Sequence, residues 1–402
     1  MSQLEPWEKV LIKMSGNQKA FSDIDPVHAA IGCVNCHGGT EPAKFEDAHG
    51  PVFFRDPTTT PEEFCTPCHE DLVNSNMNSM HTKAWGEQTA IAQRQLGGDK
   101  NHNDFDYCPA ELTDNFDKEC ASCHTTCGQC HVSRPNSVEG GFVNSHKFSK
   151  KPSQENNCMA CHGSRIGTDY RGELEGNKAD VHQLRGMHCI DCHTEDFHED
   201  ASYAESRYHI NDLPECVDCH TKEENPSNTW HTMHWPDGGV IGELSCYVCH
   251  SQPYNNCNNC HTKGEWKEGL HDYSEYPGFR IGYNIDLSLH EGKWVVVRHI
   301  PISRDSYEPW GHSDLPFYDD RPTWEYTSPH NIIRWTAQTD TSGTEGSCYQ
   351  NCHLSSSVPD SIRLINSQRF LWQSFIDSSF QDESNANSTV TVDDKLPTSW
   401  QE

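Results

Sequence analysis

The chain has 402 residues, a formal net charge of −30 and a mean hydropathy of −0.82. So acidic a chain is repelled by nucleic-acid backbones and by anionic membrane surfaces, which argues against partners of either kind. The sequence has no run of 18 apolar residues, so we expect no membrane span. Only 34% of the residues are hydrophobic, although the chain has 11 Trp, 13 Tyr and 15 Phe. We therefore expect a folded chain in which something other than side chains fills part of the interior.

The cysteines show the strongest pattern in the sequence. Of 21 Cys, 20 form ten closely spaced pairs, and each pair is followed at once by His. We number these motifs site 1 to site 10 in chain order. Their cysteines are Cys33/Cys36, Cys65/Cys68, Cys120/Cys123, Cys127/Cys130, Cys158/Cys161, Cys189/Cys192, Cys216/Cys219, Cys246/Cys249, Cys257/Cys260 and Cys348/Cys352. Their histidines are His37, His69, His124, His131, His162, His193, His220, His250, His261 and His353.

The motif C-x-x-C-H attaches c-type haem, because two thiols bond the two vinyl groups of one porphyrin and the next His binds the iron. Zinc sites and disulfides are the alternatives, but neither needs His directly after every second Cys. With 26 His in 402 residues, chance does not place one after all ten pairs. Site 10 has three residues between its cysteines, and we expect the extra residue to bulge out. The sequence therefore predicts ten haems, with Cys108 left as a buried or incidental thiol.

Sixteen further histidines remain once each motif has supplied one proximal ligand. A low-spin electron-transfer haem needs a second axial ligand, for which imidazole is common. We expect ten of the remaining histidines to serve as distal ligands. The chosen candidates are His28, His49, His81, His146, His182, His198, His231, His234, His299 and His330.

The motifs divide the chain into three predicted segments. Residues 1–261 hold nine sites, residues 262–347 contain no Cys, and residues 348–402 hold site 10, a helix and a polar tail. Sites 3 and 4, and likewise sites 8 and 9, are so close in sequence that their haems should touch. Gly, Pro, Asn, Asp and Ser are spread between the sites. The expected fold is therefore mostly irregular, with short α-helices packed around stacked haems.

Three elements are predicted outside the motifs. Two β-rich runs within 278–302 flank a turn containing Gly292, which predicts a hairpin in a small lobe that covers haems or makes a subunit contact. Residues 358–376 have a helical pattern. The tail from 382 onward is polar enough to be disordered unless it lies against its own body or a neighbouring subunit. Val390 and Val392 suit a strand added to another sheet edge, and Trp400 suits an anchor in a pocket.

The ten motifs over residues 33–353 resemble those of multihaem c-type cytochromes. The runs 120–131 and 246–261 look like the doubled sites of that superfamily, and the segment from His146 to His261 resembles octahaem tetrathionate reductase-like cytochromes. The resemblance also extends to extracellular cytochrome filaments of metal-reducing microbes. The sequence departs from the octahaem enzymes in having ten sites. It has no C-x-x-C-Lys site, the variant that marks the catalytic haem of pentahaem nitrite reductases.

Two functions fit these motifs. The first is an electron conduit of ten bis-His haems, which serves anaerobic respiration and is not an enzyme. It would exchange electrons with redox proteins or extracellular metals and minerals. The second is a reductase of a small sulfur or nitrogen oxyanion, with one open iron and a basic clamp such as Arg165, Arg185, Arg298 or Arg334.

Attachment of haem c outside the cytoplasm predicts an exported protein, at the cell surface or extracellular rather than periplasmic. No signal peptide is visible, so we expect the numbering to begin on a processed protein or at an altered start. A conduit gains most when terminal haems of successive subunits meet. The tail and this argument together predict self-association into a homopolymeric filament.

Overall fold

A computed structural model describes residues 13–14, 17–18, 21–39, 53–120, 124–194, 197–211, 213–220, 231, 234, 244–258, 274–290, 292–300, 302–340 and 348–401. It combines short helices, loops and a small three-stranded antiparallel sheet, which confirms the coarse prediction of the fold class. The longest α-helix in the described residues has 12 residues.

The α-helices, numbered here in chain order, are α1 Phe21–Ile24, α2 Pro26–Ala29, α3 Cys33–His37, α4 Pro61–Phe64, α5 Thr66–Asn76, α6 Trp85–Leu96, α7 Ala110–Glu119, α8 Cys127–His131, α9 Met159–His162, α10 Thr168–Arg171, α11 Cys189–Cys192, α12 Cys216–Cys219, α13 Cys246–His250, α14 Asp360–Ser367, α15 Gln373–Ser379 and α16 Thr398–Gln401. The strands are β1 Lys13–Met14, β2 Asn17–Gln18, β3 Tyr254–Asn258, β4 Ser274–Gly278, β5 Ile281–Tyr283, β6 Trp294–His299 and β7 Trp324–Tyr326.

The chain forms two compact units. Unit 1 comprises residues 1–85, 116–163 and 189–212, and it contains sites 1 to 6. Unit 2 comprises residues 86–115, 164–188 and 213–402, and it contains sites 7 to 10. The three-segment division at 261 and 347 stays a prediction.

Unit 1 has a small apolar cluster. Trp85, Ala201 and Ala204 are buried there, with Met80 and Ile210 packed against them. The six attachment motifs of this unit lie on short helices and turns joined by loops.

Unit 2 is built around the three-stranded sheet in the order β5-β6-β7, with β3 and β4 forming a separate antiparallel pair. Every residue of β6 is buried. Because side chains alternate along a strand, Trp294 and Val296 enter one apolar cluster while Val295 and Val297 enter another. The hairpin predicted within 278–302 is therefore present as β5 and β6, and β7 extends it. Gly292 has φ 99°, a value that favours glycine in the connecting turn.

The helix predicted over 358–376 is wrong as a single element. It is two helices, α14 and α15, and the residues between them pair with β5. Ile281 donates to the carbonyl of Arg369 at 2.7 Å, and Leu371 donates to the carbonyl of Ile281 at 2.8 Å. Strand-like pairing with a buried sheet edge thus overrides the local helical preference.

The C-terminal tail packs against the rest of unit 2, which is one of the two alternatives expected for an ordered tail, and Trp400 is buried there as expected. Residues 389–392 are not in a strand, so the strand expected there is wrong. Residues 381–401 form turns, a 3₁₀ turn and α16. Its apolar side chains are nearly all inaccessible to solvent: Ala386, Val390, Val392, Leu396 and Trp400. Fully buried Asn387 accepts from the backbone N–H groups of Thr323 and Trp324, both at 3.0 Å. These buried apolar side chains and the hydrogen bonds of the Asn387 side chain order a segment whose composition is mostly polar.

Candidate metal centres

Five of the ten Cys-pair motifs adopt one local form. Helices α3, α8, α11, α12 and α13 each begin at the first cysteine of a motif. At site 10 a 3₁₀ turn spans Cys348–Asn351. In one helical turn the first Cys, the second Cys three residues on and the His four residues on lie on the same face. The motif thus presents two thiols and an imidazole to one side.

Sites 2 and 5 differ from that form. At site 2, Cys65 precedes α5, and Cys68 lies in the first turn of this helix with its N–H donating to the carbonyl of Cys65 at 3.1 Å. At site 5, Cys158 ends a π-helical turn, and Cys161 lies in α9. The spacing of the cysteines therefore does not by itself fix where the helix begins.

The second cysteines of sites 8 and 10 are half-buried in unit 2. The carbonyl of Cys249 accepts from the hydroxyl of Thr336, which anchors the backbone at the end of site 8. Cys352 packs against the apolar cluster that contains Trp294. Contacts of the surrounding chain thus position both residues.

The structure does not support the disulfide alternative for the described motifs, because none of their cysteines is in a disulfide. The polypeptide alone leaves five of these side chains exposed: Cys33, Cys68, Cys161, Cys192 and Cys219. A porphyrin attached to such a thiol would cover it. Covalent haem attachment is not confirmed by these contacts and stays a prediction for every described motif cysteine, namely Cys33, Cys36, Cys65, Cys68, Cys120, Cys127, Cys130, Cys158, Cys161, Cys189, Cys192, Cys216, Cys219, Cys246, Cys249 and Cys352.

Six motif histidines face one of the predicted distal histidines across a similar gap. The ring-centroid distances are 6.3 Å for His37–His146, 6.4 Å for His69–His28, 5.9 Å for His131–His198, 6.4 Å for His162–His81, 6.1 Å for His220–His182 and 6.1 Å for His250–His231. The first four pairs lie within unit 1 and the last two within unit 2. Each pair therefore joins one proximal and one distal candidate.

The gap in these pairs matches the size of a metal ion. An imidazole–metal bond is about 2 Å long and each ring adds about 1 Å to its centroid, so two rings across one metal lie about 6 Å apart. Rings in direct stacking contact are much closer, as in His28–Phe148 at 4.0 Å and His290–Tyr326 at 3.8 Å. The interplanar angles in the six pairs run from 14° to 77°, as expected for rings that rotate about a shared axis. The spacing is therefore compatible with iron between two imidazoles, and edge contacts between rings without a metal, such as His193–Phe197 at 6.0 Å, have the same spacing.

Backbone carbonyls orient three of the motif histidines. The Nδ1 of His37 lies 2.7 Å from the carbonyl oxygen of Phe54, and that of His131 lies 2.7 Å from the carbonyl oxygen of Ser149. The Nδ1 of His250 lies 3.3 Å from the carbonyl oxygen of Ile333. A ring that donates from Nδ1 keeps Nε2 as the ligating nitrogen and fixes the direction of its lone pair.

Carboxylates orient two of the distal candidates. The Nδ1 of His28 lies 3.0 Å from Asp25, and that of His182 lies 2.8 Å from Asp180. The hydrogen bond to Asp180 raises the pKa of His182 above its ordinary value. Burial alone would raise the pKa of Asp25, but the hydrogen bonds from His28 and Phe148 bring it below its usual range. The sequence reasoning did not identify either aspartate.

Burial favours the neutral imidazole, the form that ligates a metal, at five of the twelve paired histidines and at His353. Burial lowers the pKa of His146 to about 4, with a contribution from His37. Burial, aided by His234, also lowers the pKa of His353 to about 4. This electrostatic contact places the distal candidate His234 near the motif histidine of site 10. Burial lowers the pKa values of four further members of the pairs: His162, His198, His231 and His250.

One short segment of unit 1 serves three sites. His146 faces His37 of site 1, and Phe148 stacks on His28 at 4.0 Å beside site 2. The carbonyl of Ser149 accepts from His131 of site 4. Sites 1, 2 and 4 are therefore neighbours around residues 146–149, out of sequence order.

The distal candidate His81 connects site 5 to two further sites of unit 1. Its backbone carbonyl accepts from the N–H of Thr125 at 3.0 Å, directly after His124 of site 3. Phe197 lies 5.6 Å from the ring of His81 and 6.0 Å from that of His193, the motif histidine of site 6. Sites 3, 5 and 6 therefore also share a neighbourhood.

Neighbouring sites also meet through their first cysteines. A hydrogen bond between Cys158 and Cys189 joins sites 5 and 6, and one between Cys216 and Cys246 joins sites 7 and 8. These bonds lower the pKa values of Cys158 and Cys246. The predicted contacts between sites 3 and 4 and between sites 8 and 9 stay predictions, because Cys123, Cys260 and His261 lie outside the described residues.

Three predicted distal ligands are not brought opposite a motif histidine by the described contacts. The Nε2 of buried His299 lies 3.0 Å from both carboxylate oxygens of Glu383, so this nitrogen is engaged. The Nδ1 of His330 lies 2.9 Å from the carbonyl oxygen of Ser328. His49 lies outside the described residues.

Burial in unit 2 bears on two other residues: it agrees with the expectation for Cys108 and changes the interpretation of Arg298. Cys108 is buried, and burial, with Asp104 and Asp106, raises its pKa to about 11. Arg298, which we considered as an anion clamp, lies 2.6 Å from Asp169 in a buried ion pair. Its charge is thus already compensated by the chain.

Replacing Arg298 with alanine is expected to lower the free energy of unfolding by about 3–5 kcal/mol, because buried Asp169 would lose its ion-pair partner. The matched control is Arg304→Ala, since Arg304 pairs with Asp319 at 2.8 Å on the surface. That pair should contribute about 0–1 kcal/mol. Guanidinium unfolding of both variants measures the difference, and equal losses would contradict the assignment.

Across the described ranges, no three His, Cys, Asp or Glu side chains converge as ligands of a bare metal ion. In the part of the chain that the structure describes, no helix has the length and hydrophobicity needed to cross a membrane. No protein family, curated protein or solved structure matches this chain.

Proposed function

We propose that this chain is a multihaem c-type cytochrome that carries electrons along a series of bis-His haems. The observation that supports it most is the set of six histidine pairs, each with one motif histidine and one predicted distal ligand about 6 Å apart. Thiols on the same helical face as the proximal imidazole fit covalent attachment.

Haem iron supplies one-electron chemistry between its ferric and ferrous states. The paired imidazoles would hold such an iron from both sides, which would leave no place for a substrate at those irons. Carbonyls of Phe54, Ser149 and Ile333 fix the proximal rings. Fixed ligands limit the structural change that accompanies electron transfer, as a conduit requires.

Close spacing of the sites supports transfer from one site to the next. The cysteine contacts between sites 5 and 6 and between sites 7 and 8 bring those attachment points together. Residues 146–149 do the same for sites 1, 2 and 4. The proposed electron path therefore follows spatial neighbours rather than sequence order.

The net charge of the chain and the proposed haem attachment indicate its partners and its location. A net charge of −30 favours cationic partners, including metal ions and basic redox proteins, and it stabilises ferric iron. Covalent haem attachment places the proposed site of action outside the cytoplasm, at the cell surface or beyond it. Self-association into a homopolymer is part of the proposal, but the tail is not its basis, because it packs on unit 2. Particles that stay monomeric in electron microscopy at high concentration would remove that part.

The haem count and spin state test the proposal. A pyridine haemochrome assay on protein matured with the haem-attachment machinery should give ten haems per chain. Nine would remove site 10 with its longer spacing, and none would overturn the proposal. Electron paramagnetic resonance of the oxidised protein should show low-spin ferric iron throughout. A high-spin signal from the unaltered protein would instead support the reductase alternative.

A further inference from the structure

The Nδ1 atoms of two distal candidates, His28 and His182, contact carboxylates, whereas those of the oriented proximal histidines contact backbone carbonyls. In unit 1 the Nδ1 of His28 meets the carboxylate of Asp25 at 3.0 Å. In unit 2 the Nδ1 of His182 meets the carboxylate of Asp180 at 2.8 Å. At sites 1, 4 and 8 the oriented proximal ring meets a neutral backbone carbonyl instead. The contact at each of sites 2 and 7 thus brings a full negative charge to a ligand.

Both carboxylates are held by further donors of the chain. Asp180 accepts from the backbone N–H groups of His182 and Ile332, each at 2.7 Å. Asp25 accepts from the backbone N–H groups of His28 at 3.2 Å and Phe148 at 3.1 Å. Three N–H groups, including that of the imidazole, therefore converge on each aspartate and hold its carboxylate in place.

Burial determines how strongly each charge acts. The side chain of Asp180 is 3% exposed and that of Asp25 is 12% exposed. A charge that water screens little acts more strongly on its neighbour. A carboxylate that accepts from Nδ1–H makes the imidazole a stronger donor to its metal. A stronger donor stabilises ferric iron relative to ferrous iron and lowers the reduction potential.

We propose that Asp25 and Asp180 are positioning residues that hold the potentials of the haems at sites 2 and 7 below those of haems at sites 1, 4 and 8. The proposal rests on the proposed function, since it needs haem at these sites. Each unit would then contain a haem that gives up its electron readily to its neighbours.

Asp180→Asn in the haem-loaded full chain tests this assignment. Spectroelectrochemical titration should show one of the one-electron steps moved to higher potential by at least 59 mV, a tenfold change in the ferrous-to-ferric ratio. The shifted step should belong to the haem that becomes high-spin in His182→Ala. Asp25→Asn should shift a different step, and by less, because Asp25 is more exposed. Asp99→Asn is the control, since it removes the same charge at a fully exposed position and should shift no step comparably.

Asp180→Asn places an amide near the Ile332 N–H, so circular dichroism must show that the variant folds. If it does not fold, Asp25→Asn alone decides the outcome. Unchanged potentials in the folded variants, with ten low-spin haems present, would overturn the inference and leave the proposed function intact. A chain without covalent haem would overturn both.

Discussion

Replacing His146 with alanine is expected to convert one of the ten proposed haems from low spin to high spin. His146 faces His37 across 6.3 Å, and Phe21 and Phe142 lie beside its ring at 5.4 and 4.3 Å. No other imidazole among these contacts is placed to replace it. Loss of a nitrogen donor should also raise the potential of that haem. Electron paramagnetic resonance should show a new high-spin signal that integrates to one iron per chain.

His299→Ala is the matched control. Both histidines were candidate distal ligands and both are largely inaccessible, but the Nε2 of His299 bonds Glu383 while its ring packs between Trp324 and Phe380. We expect no high-spin signal from this variant and a loss of about 1.5–3 kcal/mol in unfolding free energy, the value of a hydrogen bond to a charged group. A high-spin signal from His299→Ala, or none from His146→Ala, would contradict the pairing.

Trp400→Ala is expected to destabilise unit 2 by about 3–5 kcal/mol, the usual cost of removing a buried Trp side chain. The indole lies 5.6 Å from Trp294, 6.4 Å from Phe370 and 5.9 Å from His353. Its backbone carbonyl accepts from Leu354 at 2.7 Å. Guanidinium unfolding followed by near-ultraviolet circular dichroism measures the loss.

Ser399→Ala controls for change at the same chain end, because Ser399 is exposed and should alter the unfolding free energy by less than about 0.5 kcal/mol. Equal stability of Trp400→Ala and Ser399→Ala would show that the tail is not part of the core. Loss of self-association without loss of stability in Trp400→Ala would make the tail an assembly element after all.

The local sequence predicts those elements whose conformation depends only on residues close by in the chain. The five-residue motif is short enough to define its own helical turn, as α3, α8 and α13 show. The hairpin of β5 and β6 could also be predicted, because alternating β-rich runs and a glycine turn are local signals. The break between α14 and α15 could not, since it depends on pairing with Ile281 far away in the sequence.

The pairing of distal and motif histidines also could not be predicted from local sequence. His28 lies five residues before Cys33 of site 1 but faces His69 of site 2. His146 lies upstream of site 5 but faces His37 of site 1. Sequence proximity thus does not identify the pairs, because the rings meet through loops that fold back on one another. His299 is a suitable residue type for a distal ligand, but its Nε2 is hydrogen-bonded to Glu383 in the core.

The sequence by itself determined the predicted attachment sites, the surplus of histidines and the acidic charge, because these are properties of composition and short motifs. Only the tertiary structure decided which histidines face each other, which aspartates orient them and where the tail packs. Those features depend on contacts between residues far apart in the chain, and such contacts arise from burial and hydrogen bonding across the whole of each unit.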